Sequence, residues 1–433
     1  MSSRARGPTL RTVMRRSAAL ALALFACAGT AASATAGPPL TVHYSTPTAL
    51  RGLHVTMRIA PLGIAEVIGA DAASLRARAG IDWVEPAVAR RHLGSAPVFA
   101  AGPPTEWQYA ATRANLVPSS VLRAASSVIV AVVDTGADLT APDIAAKQPL
   151  TYSAVTGDTA VTDTVGHGTF VASLAAGATT RNVFDGFGGD AQLMVVQANS
   201  NANDFTDATE AAAIVWAVDH GARIVNLSLG GPDTSQTEQD ALAYATAHGA
   251  LIVAAAGNEG QNDNLVTYPA ALLGPNGIAV GASTDTGTRA PFSTAAPYVS
   301  LLAPGVSVLG ALSSTAPTTG FTRAEIGRAG GLFVYGTGTS YAAPQVAGAA
   351  ALVWAANPAL TATQVVQILE QTASRHGTWT AATGYGVLDV ASAVARALGR
   401  PALGSPPVQS GAMTVQSVAS AKGVPAIQLA SVR

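Results

Sequence analysis

Apolar residues in the central part of the chain form short continuous runs, separated by alanine-rich stretches with a helical pattern. Three runs predict buried strands, at residues 128–133, 223–227 and 251–255. The helical stretches before the second and third runs both close with His-Gly, at 220–221 and 248–249. Apolar strands that alternate with helices are typical of a parallel sheet covered on both faces. We therefore expect residues 103–399 to form an α/β domain, a doubly wound, mostly parallel sheet with helices on both faces.

The N-terminus has a different pattern. Five arginines precede an apolar run at 18–28, and the small-residue pattern A-x-A follows at 32–34 and 34–36. This order is typical of a secretory signal peptide, and the apolar run is too short to cross a membrane. We expect residues 1–36 to be removed from a protein that bacteria secrete, with no transmembrane segment. Cys27, the only cysteine, would leave with it, so the mature protein would have no disulfide.

Two further segments flank the predicted α/β domain. Alternation at 53–59 and a helical pattern at 71–79 predict a small α+β unit within residues 37–102, and a linker rich in Gly, Pro and Ala ends it at 94–104. Residues 400–433 keep no sustained period and predict a loosely ordered tail.

Composition narrows the classes of partner. The 433 residues are 49 % hydrophobic and 11 % charged, which is enough apolar surface for one large core. A net charge of -1 provides no electrostatic attraction for nucleic acid or an anionic membrane, so we expect neither as a partner. The chain contains no H-E-x-x-H and no G-x-x-x-x-G-K motif, which excludes a metalloprotease of the common type and a P-loop nucleotide-binding protein.

Polar or glycine-rich segments follow all three predicted strands. Asp134 ends the first strand, SLGG follows the second at 228–231, and AGNEG follows the third at 256–260. Ligands bind at this edge of an open parallel sheet, so a site is expected there. Asp134 taken alone could be only a turn cap. Aspartic proteases share its Asp-Thr-Gly, but they need a second such acid, and the nearest copy at 285–287 lies in a polar stretch that predicts a loop.

One of the seven histidines has a context that a structural role does not explain. His167 stands in GHGT at 166–169, where glycines let the backbone turn sharply and leave room around the imidazole. His220 and His248 instead lie near helix C-termini, before a glycine, where a cation stabilises the helix dipole. His167 is therefore the one histidine whose sequence context points to a role beyond structure.

Ser340 lies in a glycine-rich turn that leads into an apolar helix, in GTSYAAP at 338–344. A serine at such a place is often only the N-cap of the helix. The helix dipole and the N–H groups of the turn also suit a nucleophile beside which negative charge develops. This motif alone leaves both interpretations open.

Taken together, the motifs and the order Asp134, His167, Ser340 resemble the subtilisin-like serine proteases, or subtilases. The resemblance spans roughly residues 107–399 and rests on VDTGAD at 133–138, GHGT at 166–169, SLGG at 228–231, AGNEG at 256–260 and GTSYAAP at 338–344. Departures from the usual pattern fall at Phe170, Ser173, Tyr341 and Gln345. None of them removes a catalytic group.

The resemblance implies a serine endopeptidase, acting as a monomer on polypeptide substrates through an acyl-enzyme intermediate with no required cofactor. Ser340 would be the nucleophile, His167 the base and Asp134 the residue that orients the imidazole. Asn258 would provide the side-chain donor of the oxyanion hole, beside the backbone N–H of Ser340. The implied substrate-binding residues are Ser228, Leu229 and Gly230, as a strand that pairs with the substrate, and Ala255, Ala256 and Gly257, as the lining of a pocket.

The resemblance also extends to the N-terminal unit and to a metal. Residues 37–102 resemble a shortened subtilase propeptide, an intramolecular inhibitor whose self-cleavage would fall between Leu93 and Pro104; an unrelated N-terminal domain is the alternative. A loop at 179–189 lies where many relatives bind a structural calcium ion, with Asp143 and Asn182 as candidate ligands. The loop contains few carboxylates, so two alternatives remain at this point: the loop binds a calcium ion, or it binds no metal.

Three rival functions remain to be weighed. An α/β-hydrolase esterase would place its serine first, in G-x-S-x-G, and neither the order nor the run at 338–342 fits. A sedolisin-type acid peptidase would carry an acid in place of His167. A catalytically inactive binding module on the same fold finds no support, because every triad residue is present, but the sequence does not exclude it.

Overall fold

The computed structural model describes residues 38–93, 106–179, 184–199, 205–318, 322–323 and 331–404. The expected signal peptide, the whole linker at 94–104, Asn182 and most of the tail lie outside these residues. The strands are β1 (Leu40–Tyr44), β2 (His54–Ile59), β3 (Ile64–Ile68), β4 (Ile81–Pro86), β5 (Ala89–His92), β6 (Ile129–Asp134), β7 (Leu150–Ser153), β8 (Gln192–Gln197), β9 (Phe205–Thr206), β10 (Ile224–Leu227), β11 (Leu229–Gly230), β12 (Leu251–Ala255), β13 (Gly277–Ser283), β14 (Leu301–Pro304), β15 (Val308–Ala311), β16 (Thr322–Arg323) and β17 (Phe333–Gly336). The helices are α1 (Ala72–Arg76), α2 (Trp107–Ala111), α3 (Ser119–Ala124), α4 (Pro142–Ala145), α5 (His167–Ala176), α6 (Asp207–Asp219), α7 (Gln236–Ala247), α8 (Thr339–Ala356), α9 (Ala362–Thr372) and α10 (Val390–Ala397).

A parallel sheet of seven strands, in the order β14-β13-β12-β10-β6-β8-β7, forms the centre of the protein. Both faces are covered. Val130 and Val132 of β6 belong to the apolar cluster that contains α5, α8, α9 and α10, whereas Ala131 and Val133 belong to the cluster that contains α6 and α7. Alternate residues of one strand therefore enter opposite cores, which is why the strand sequence is apolar throughout. The doubly wound α/β prediction is confirmed.

The N-terminal unit is a separate small sheet with its own core. Strands β2-β3-β1-β4 pair antiparallel, and Val42, Leu50, Val67 and Leu75 are buried between the sheet, α1 and the adjoining turns. Asp71 begins α1, because its carboxylate accepts hydrogen bonds from the backbone N–H groups of the first turn. This arrangement agrees with the α+β unit expected from the sequence.

The last strand of this unit, β5, leaves the small sheet and enters the α/β domain. It lies between β11 and β9 and pairs antiparallel with both. The N-terminal unit thus supplies the middle strand of a sheet whose other two strands come from the α/β domain. A further sheet, in the order β15-β17-β16, lies elsewhere in that domain.

Element boundaries differ from the sequence predictions by one or a few residues. Strands β6 and β10 begin one residue later than predicted, and α1 is shorter than the helical pattern at 71–79. In the described part of the chain, no helix combines the length and the apolar character needed to cross a membrane.

Candidate active site

The first candidate residue, Asp134, is the last residue of the central strand β6 and is 3 % exposed. One carboxylate oxygen, Oδ1, accepts a hydrogen bond from the backbone N–H of Thr135 and lies 2.7 Å from His167 Nδ1. The carboxylate is therefore held at the carboxyl edge of the sheet with one oxygen directed at the imidazole.

His167 is the first residue of α5, and glycines on both sides bring it to Asp134. Gly166 caps the helix with a φ of 89°, a backbone conformation that side chains other than glycine rarely adopt. A Cβ at Gly168 would lie 2.2 Å from the carbonyl oxygen of Gly136. Glycine is thus required at 168 because the start of α5 packs directly on the turn after β6.

Asp163, to which sequence reasoning assigned no role, joins these two segments. Its Oδ1 accepts hydrogen bonds from Thr135 Oγ1 and the backbone N–H of Gly166, and its Oδ2 accepts two from Thr169. Burial raises the pKa of Asp163, and these hydrogen bonds oppose the rise. The buried carboxylate fixes the turn after β6 against the N-terminus of α5. Its position three residues before the capping glycine was the available sequence signal.

Ser340 is the second residue of α8 and is fully buried. Its Oγ donates a hydrogen bond to the backbone oxygen of Ser228 at 2.9 Å, and its own carbonyl accepts one from Ser228 Oγ at 2.8 Å. His167 Nε2 receives no hydrogen bond from any described residue. The hydroxyl is therefore turned toward the strand segment at 228–230, and the imidazole Nε2 has no partner among the described residues.

Asn258 lies in the turn after β12 and connects α8 to the N-terminal unit. Its Oδ1 accepts hydrogen bonds from the backbone N–H and the hydroxyl of Thr339, both at 3.0 Å, which orients the amide. Its Nδ2 then donates to the carbonyl oxygen of Leu93, the residue that follows β5. A carbonyl of the chain itself thus occupies the position expected for a polarised substrate carbonyl.

Strand β5 approaches this position as a peptide substrate would. Leu229 pairs with His92 and Gly230 with Arg91, while the N–H of Leu93 reaches the backbone oxygen of Ser228 at 3.4 Å. The three residues 228–230, predicted to pair with substrate, pair here with the N-terminal unit. Main-chain pairing with an edge strand is a general mode of peptide recognition.

The three predicted pocket residues, Ala255, Ala256 and Gly257, are all buried at the end of β12 and in the turn that follows it. Gly257 has a φ of 109°, and a Cβ there would lie 2.2 Å from Thr267 Oγ1, so a larger residue could not replace it without moving the turn. The Leu93 side chain is 4 % exposed and belongs to the same apolar cluster as Ala255. A medium-sized apolar side chain therefore fits at this place.

Comparison with known proteins identifies the family. A family model described as the subtilase family matches residues 125–386. The chain is 33 % identical to subtilisin DY of Bacillus licheniformis over 254 residues, which are 58 % of this chain and 85 % of the relative. It is 35 % identical to subtilisin Savinase of Lederbergia lenta over 252 residues, with the same two shares. The chain belongs to the subtilase family. As a subtilase it is a serine-type endopeptidase.

Coverage and structural likeness add to this assignment. The match spans 62 % of subtilisin E of Bacillus subtilis, at 34 % identity over 255 residues and 58 % of this chain. Fervidolysin of Fervidobacterium pennivorans, a keratinolytic enzyme related to subtilisin, aligns with a TM-score of 0.70 and 26 % identity over 85 % of this chain and 61 % of its own. The S393A mutant of the epidermin leader peptide processing protease of Staphylococcus aureus aligns at 0.67 and 18 % identity, over 83 % and 99 %, and shows the fold alone.

The departures from the common subtilase pattern pack against one another. The rings of Phe170 and Tyr341 lie 4.2 Å apart, and Tyr341 also lies 5.6 Å from the His167 ring. Ser173 Oγ donates to the carbonyl oxygen of Phe170, and Gln345 Nε2 donates to that of Tyr341. The rings of Phe170 and Tyr341 therefore join α5 and α8 beside the imidazole, whereas Ser173 and Gln345 each bind the backbone of their own helix.

The predicted calcium ligands are only partly described. Asp143 is fully buried at the start of α4, and neither of its carboxylate oxygens has a hydrogen-bond partner among the residues that the structure describes. Burial raises its pKa to about 7. Asn182 lies outside the described residues, and within them no group of three or more His, Cys, Asp or Glu side chains is placed to hold a metal ion.

Glu106, which sequence reasoning missed, borders the same loop. It accepts hydrogen bonds from the backbone N–H of Asp185, and burial raises its pKa well above the ordinary value. The backbone oxygen of Asp143 accepts from Ala178. The buried carboxyl group of Asp143 and the half-buried one of Glu106 thus flank the loop between Ala178 and Asp185.

Proposed function

We propose that this subtilase is a secreted endopeptidase, made as a precursor that cleaves itself, with Asp134, His167 and Ser340 as the triad and Asn258 in the oxyanion hole. One observation carries the proposal: the carbonyl oxygen of Leu93 accepts a hydrogen bond from Asn258 Nδ2, at the end of a strand that pairs with residues 228–230. This contact supports the proposal because the carbonyl of an acyl-transfer substrate would bind at the same donor, and the bond after Leu93 is then the bond that the site would cut.

The proposed reaction begins with a change of partner for the nucleophile. Ser340 Oγ exchanges its hydrogen bond to Ser228 for one to His167 Nε2, and the imidazole, held by Asp134 through Nδ1, removes the hydroxyl proton. The oxygen attacks the carbonyl carbon of Leu93. The negative charge that develops on the Leu93 oxygen is stabilised by Asn258 Nδ2 and the backbone N–H of Ser340.

The intermediate then collapses, and the Leu93–Gly94 C–N bond breaks. His167 delivers its proton to the departing amine of Gly94, which leaves an ester between Ser340 and Leu93. A water molecule, deprotonated by the same imidazole, attacks this ester and restores the serine. The cut lies at the first bond of the segment where self-cleavage was expected, and a peptide substrate would follow the same steps.

The N-terminal unit is proposed to remain as an inhibitor after the cut. In its presence Ser340 is fully buried and His167 is 2 % exposed. The ring of His92 stacks on that of His167, with centroids 4.9 Å apart. Glu85 adds a second attachment, because its carboxylate accepts hydrogen bonds from two backbone N–H groups at the N-terminus of α7. Release of this unit would expose the cleft of a monomeric enzyme.

A structural calcium ion is proposed at the loop that Asp143 borders. The residues fit a hard cation, since Asp143 offers two buried oxygens without hydrogen-bond partners among the described residues, and Glu106 lies at the other end of the loop. Asp143, Asn182 and Glu106 would hold the ion. Calcium would supply charge neutralisation there and would take no part in bond cleavage.

The test is secretion of the full chain beside Ser340→Ala and, as a matched control, the exposed-site variant Ser126→Ala. The wild type and Ser126→Ala are expected to release a product that begins at Gly94, to label with a fluorophosphonate and to hydrolyse casein. Ser340→Ala is expected to stay uncut after Leu93 and to do neither. A folded wild type that does not label, even after denaturing removal of the N-terminal unit and refolding, would instead support the inactive binding module.

A further inference from the structure

Arg90 has the most completely buried charge of the N-terminal unit. It lies in β5, three residues before Leu93, and is 0 % exposed. Its Nε donates hydrogen bonds to Glu210 Oε2 and Glu238 Oε1, each at 3.0 Å, and its Nη2 lies 2.6 Å from Glu238 Oε1. Both glutamate side chains are also fully buried. The guanidinium therefore enters a closed pocket whose charged partners belong entirely to the peptidase domain.

The two glutamates come from different helices that meet at this pocket. Glu210 lies in the first turn of α6 and Glu238 in the first turn of α7. Asp207, the first residue of α6, is buried as well and accepts a hydrogen bond from the backbone N–H of Val88. The main chain of the N-terminal unit is thus bound beside the pocket, and its arginine side chain fills it.

Without a cation, this pocket would be an unfavourable place for carboxylates. Burial raises the pKa of Glu210, the charge of Glu238 raises it further, and burial likewise raises the pKa of Glu238. Glu210 Oε1 has no hydrogen-bond partner among the described residues. Buried charges that are not paired destabilise a protein, so the pocket favours the binding of a guanidinium whenever β5 is absent.

The neighbouring residue provides an internal comparison. Arg91 has the same side chain, but it points to the other side of β5 and is 56 % exposed, with one contact of 3.1 Å to Glu259. Its ion pair is open to solvent and contributes little to binding. The two adjacent arginines are therefore in different environments: Arg90 is buried in the pocket of Glu210 and Glu238, and Arg91 lies at the surface.

Resting on the function proposed above, we propose that the mature enzyme selects polypeptides with arginine at the fourth position before the cleaved bond, and that Glu210 and Glu238 determine this selection. Since Leu93 occupies the position before the cut, His92, Arg91 and Arg90 occupy the second, third and fourth. A substrate that pairs with residues 228–230 in the same register would place its fourth side chain where Arg90 lies. Arginine fits better than lysine, because its planar fork contacts both carboxylates at once.

The test compares peptides on the self-processed wild-type enzyme. The parent is acetyl-Arg-Arg-His-Leu with a fluorogenic amide, and the variants carry citrulline, lysine or alanine at the first arginine, or alanine at the second. Citrulline keeps the shape of arginine and removes its charge. We expect kcat/KM to fall about 30-fold or more with citrulline or alanine at the fourth position, and less than threefold with alanine at the third.

Variants of the enzyme assign the effect to the pocket. Glu210→Gln and Glu238→Gln are expected to bring the ratio of arginine to citrulline peptides close to 1. Asp240→Asn, which removes a solvent-accessible carboxylate of the same helix as Glu238, should leave that ratio unchanged. Should a pocket variant fail to mature, the wild-type peptide series still decides the question.

The outcomes separate the two proposals. An enzyme that labels with fluorophosphonate and cuts casein, but hydrolyses the arginine and citrulline peptides equally well, overturns the arginine selection and leaves the endopeptidase function standing. A protein that neither labels nor cuts any peptide overturns both.

Discussion

Buried carboxylates surround the cleft in two regions, and they are stabilised in different ways. At the triad, Asp134 and Asp163 accept hydrogen bonds from His167, Thr135 and backbone N–H groups, all of which belong to the peptidase domain. At the pocket of α6 and α7, Glu210 and Glu238 are paired with Arg90, which belongs to the N-terminal unit. The first set of partners is permanent, whereas the second would leave on the proposed release of the N-terminal unit.

This difference distinguishes a positioning role from a recognition role. A carboxylate whose partners are fixed can hold an imidazole in one tautomer through every step of a reaction. A buried carboxylate whose partner departs is left unpaired, which is unfavourable. It therefore favours the binding of another group with the same charge and shape. If the N-terminal unit binds as proposed, its side chains indicate which substrate side chains the cleft would bind, since both have to fit the same pocket.

The largest effect is expected when a permanent partner is altered. Asp134→Asn keeps the size of the side chain but removes the charge that orients His167, so the imidazole would adopt the wrong tautomer. We expect kcat for casein or a peptide amide to fall about 10⁴-fold, with little change in KM. Steady-state kinetics of the processed variant, matured in trans by wild-type enzyme, would measure this.

Asp138→Asn is the matched control for that variant. Asp138 lies in the same turn, where its carboxylate binds Thr140 and Ser314 rather than the imidazole. Its kcat is expected to stay within about threefold of the wild type, because no triad contact is lost. Equal losses in the two variants would mean that the turn, and not the charge at 134, controls the rate.

A smaller effect is expected when the removable partner is altered. Arg90→Ala in the full chain leaves Glu210 and Glu238 buried without a cation as β5 docks, and truncating one member of a buried charge pair costs about 3–5 kcal/mol. We expect the rate of appearance of the product that begins at Gly94 to fall at least tenfold. Arg91→Ala, at the exposed neighbour, is expected to stay within threefold. Similar rates for both variants would contradict the distinction between the two arginines.

Much of the fold was predictable from the sequence, because burial on both faces leaves a simple signature. The run at 128–133 predicted β6 almost residue for residue, since each of its side chains enters one of two cores. The site could be assigned to the carboxyl edge of the sheet because polar and glycine-rich segments follow these apolar strands. Predicted and observed boundaries differ where a capping residue sets the end of a helix. Asp71 was predicted to lie in the helix, but it is the N-cap that precedes α1.

The acidic pocket could not be predicted in this way. Glu210 and Glu238 lie in the first turns of alanine-rich helices, where acidic residues ordinarily stabilise the helix dipole and face solvent. Only the tertiary structure shows that these two turns converge, 28 residues apart in the chain, on an arginine 120 residues from the first of them. Asp163 was not predicted for a related reason. Several of its hydrogen-bond partners are backbone N–H groups, which the identity of the neighbouring residues does not indicate.

The smallest effect is expected at Asp143, a buried carboxylate with neither kind of partner in the described part of the chain. Its pKa of about 7 lies above the ordinary carboxyl value of 3.8, so the native protein binds the extra proton between these values and loses stability as the pH rises through them. At pH 8.5 the ionised group destabilises the chelator-treated protein, and calcium at 100 times its Kd would raise Tm by about 5 °C.

The Ser340→Ala background prevents self-digestion during the thermal scan. Asp143→Asn should melt higher than the parent in EDTA and gain nothing from calcium, whereas the exposed-site control Asp233→Asn should respond as the parent does. A calcium response that survives Asp143→Asn would place the ion elsewhere and leave the raised pKa of Asp143 as a cost of burial alone.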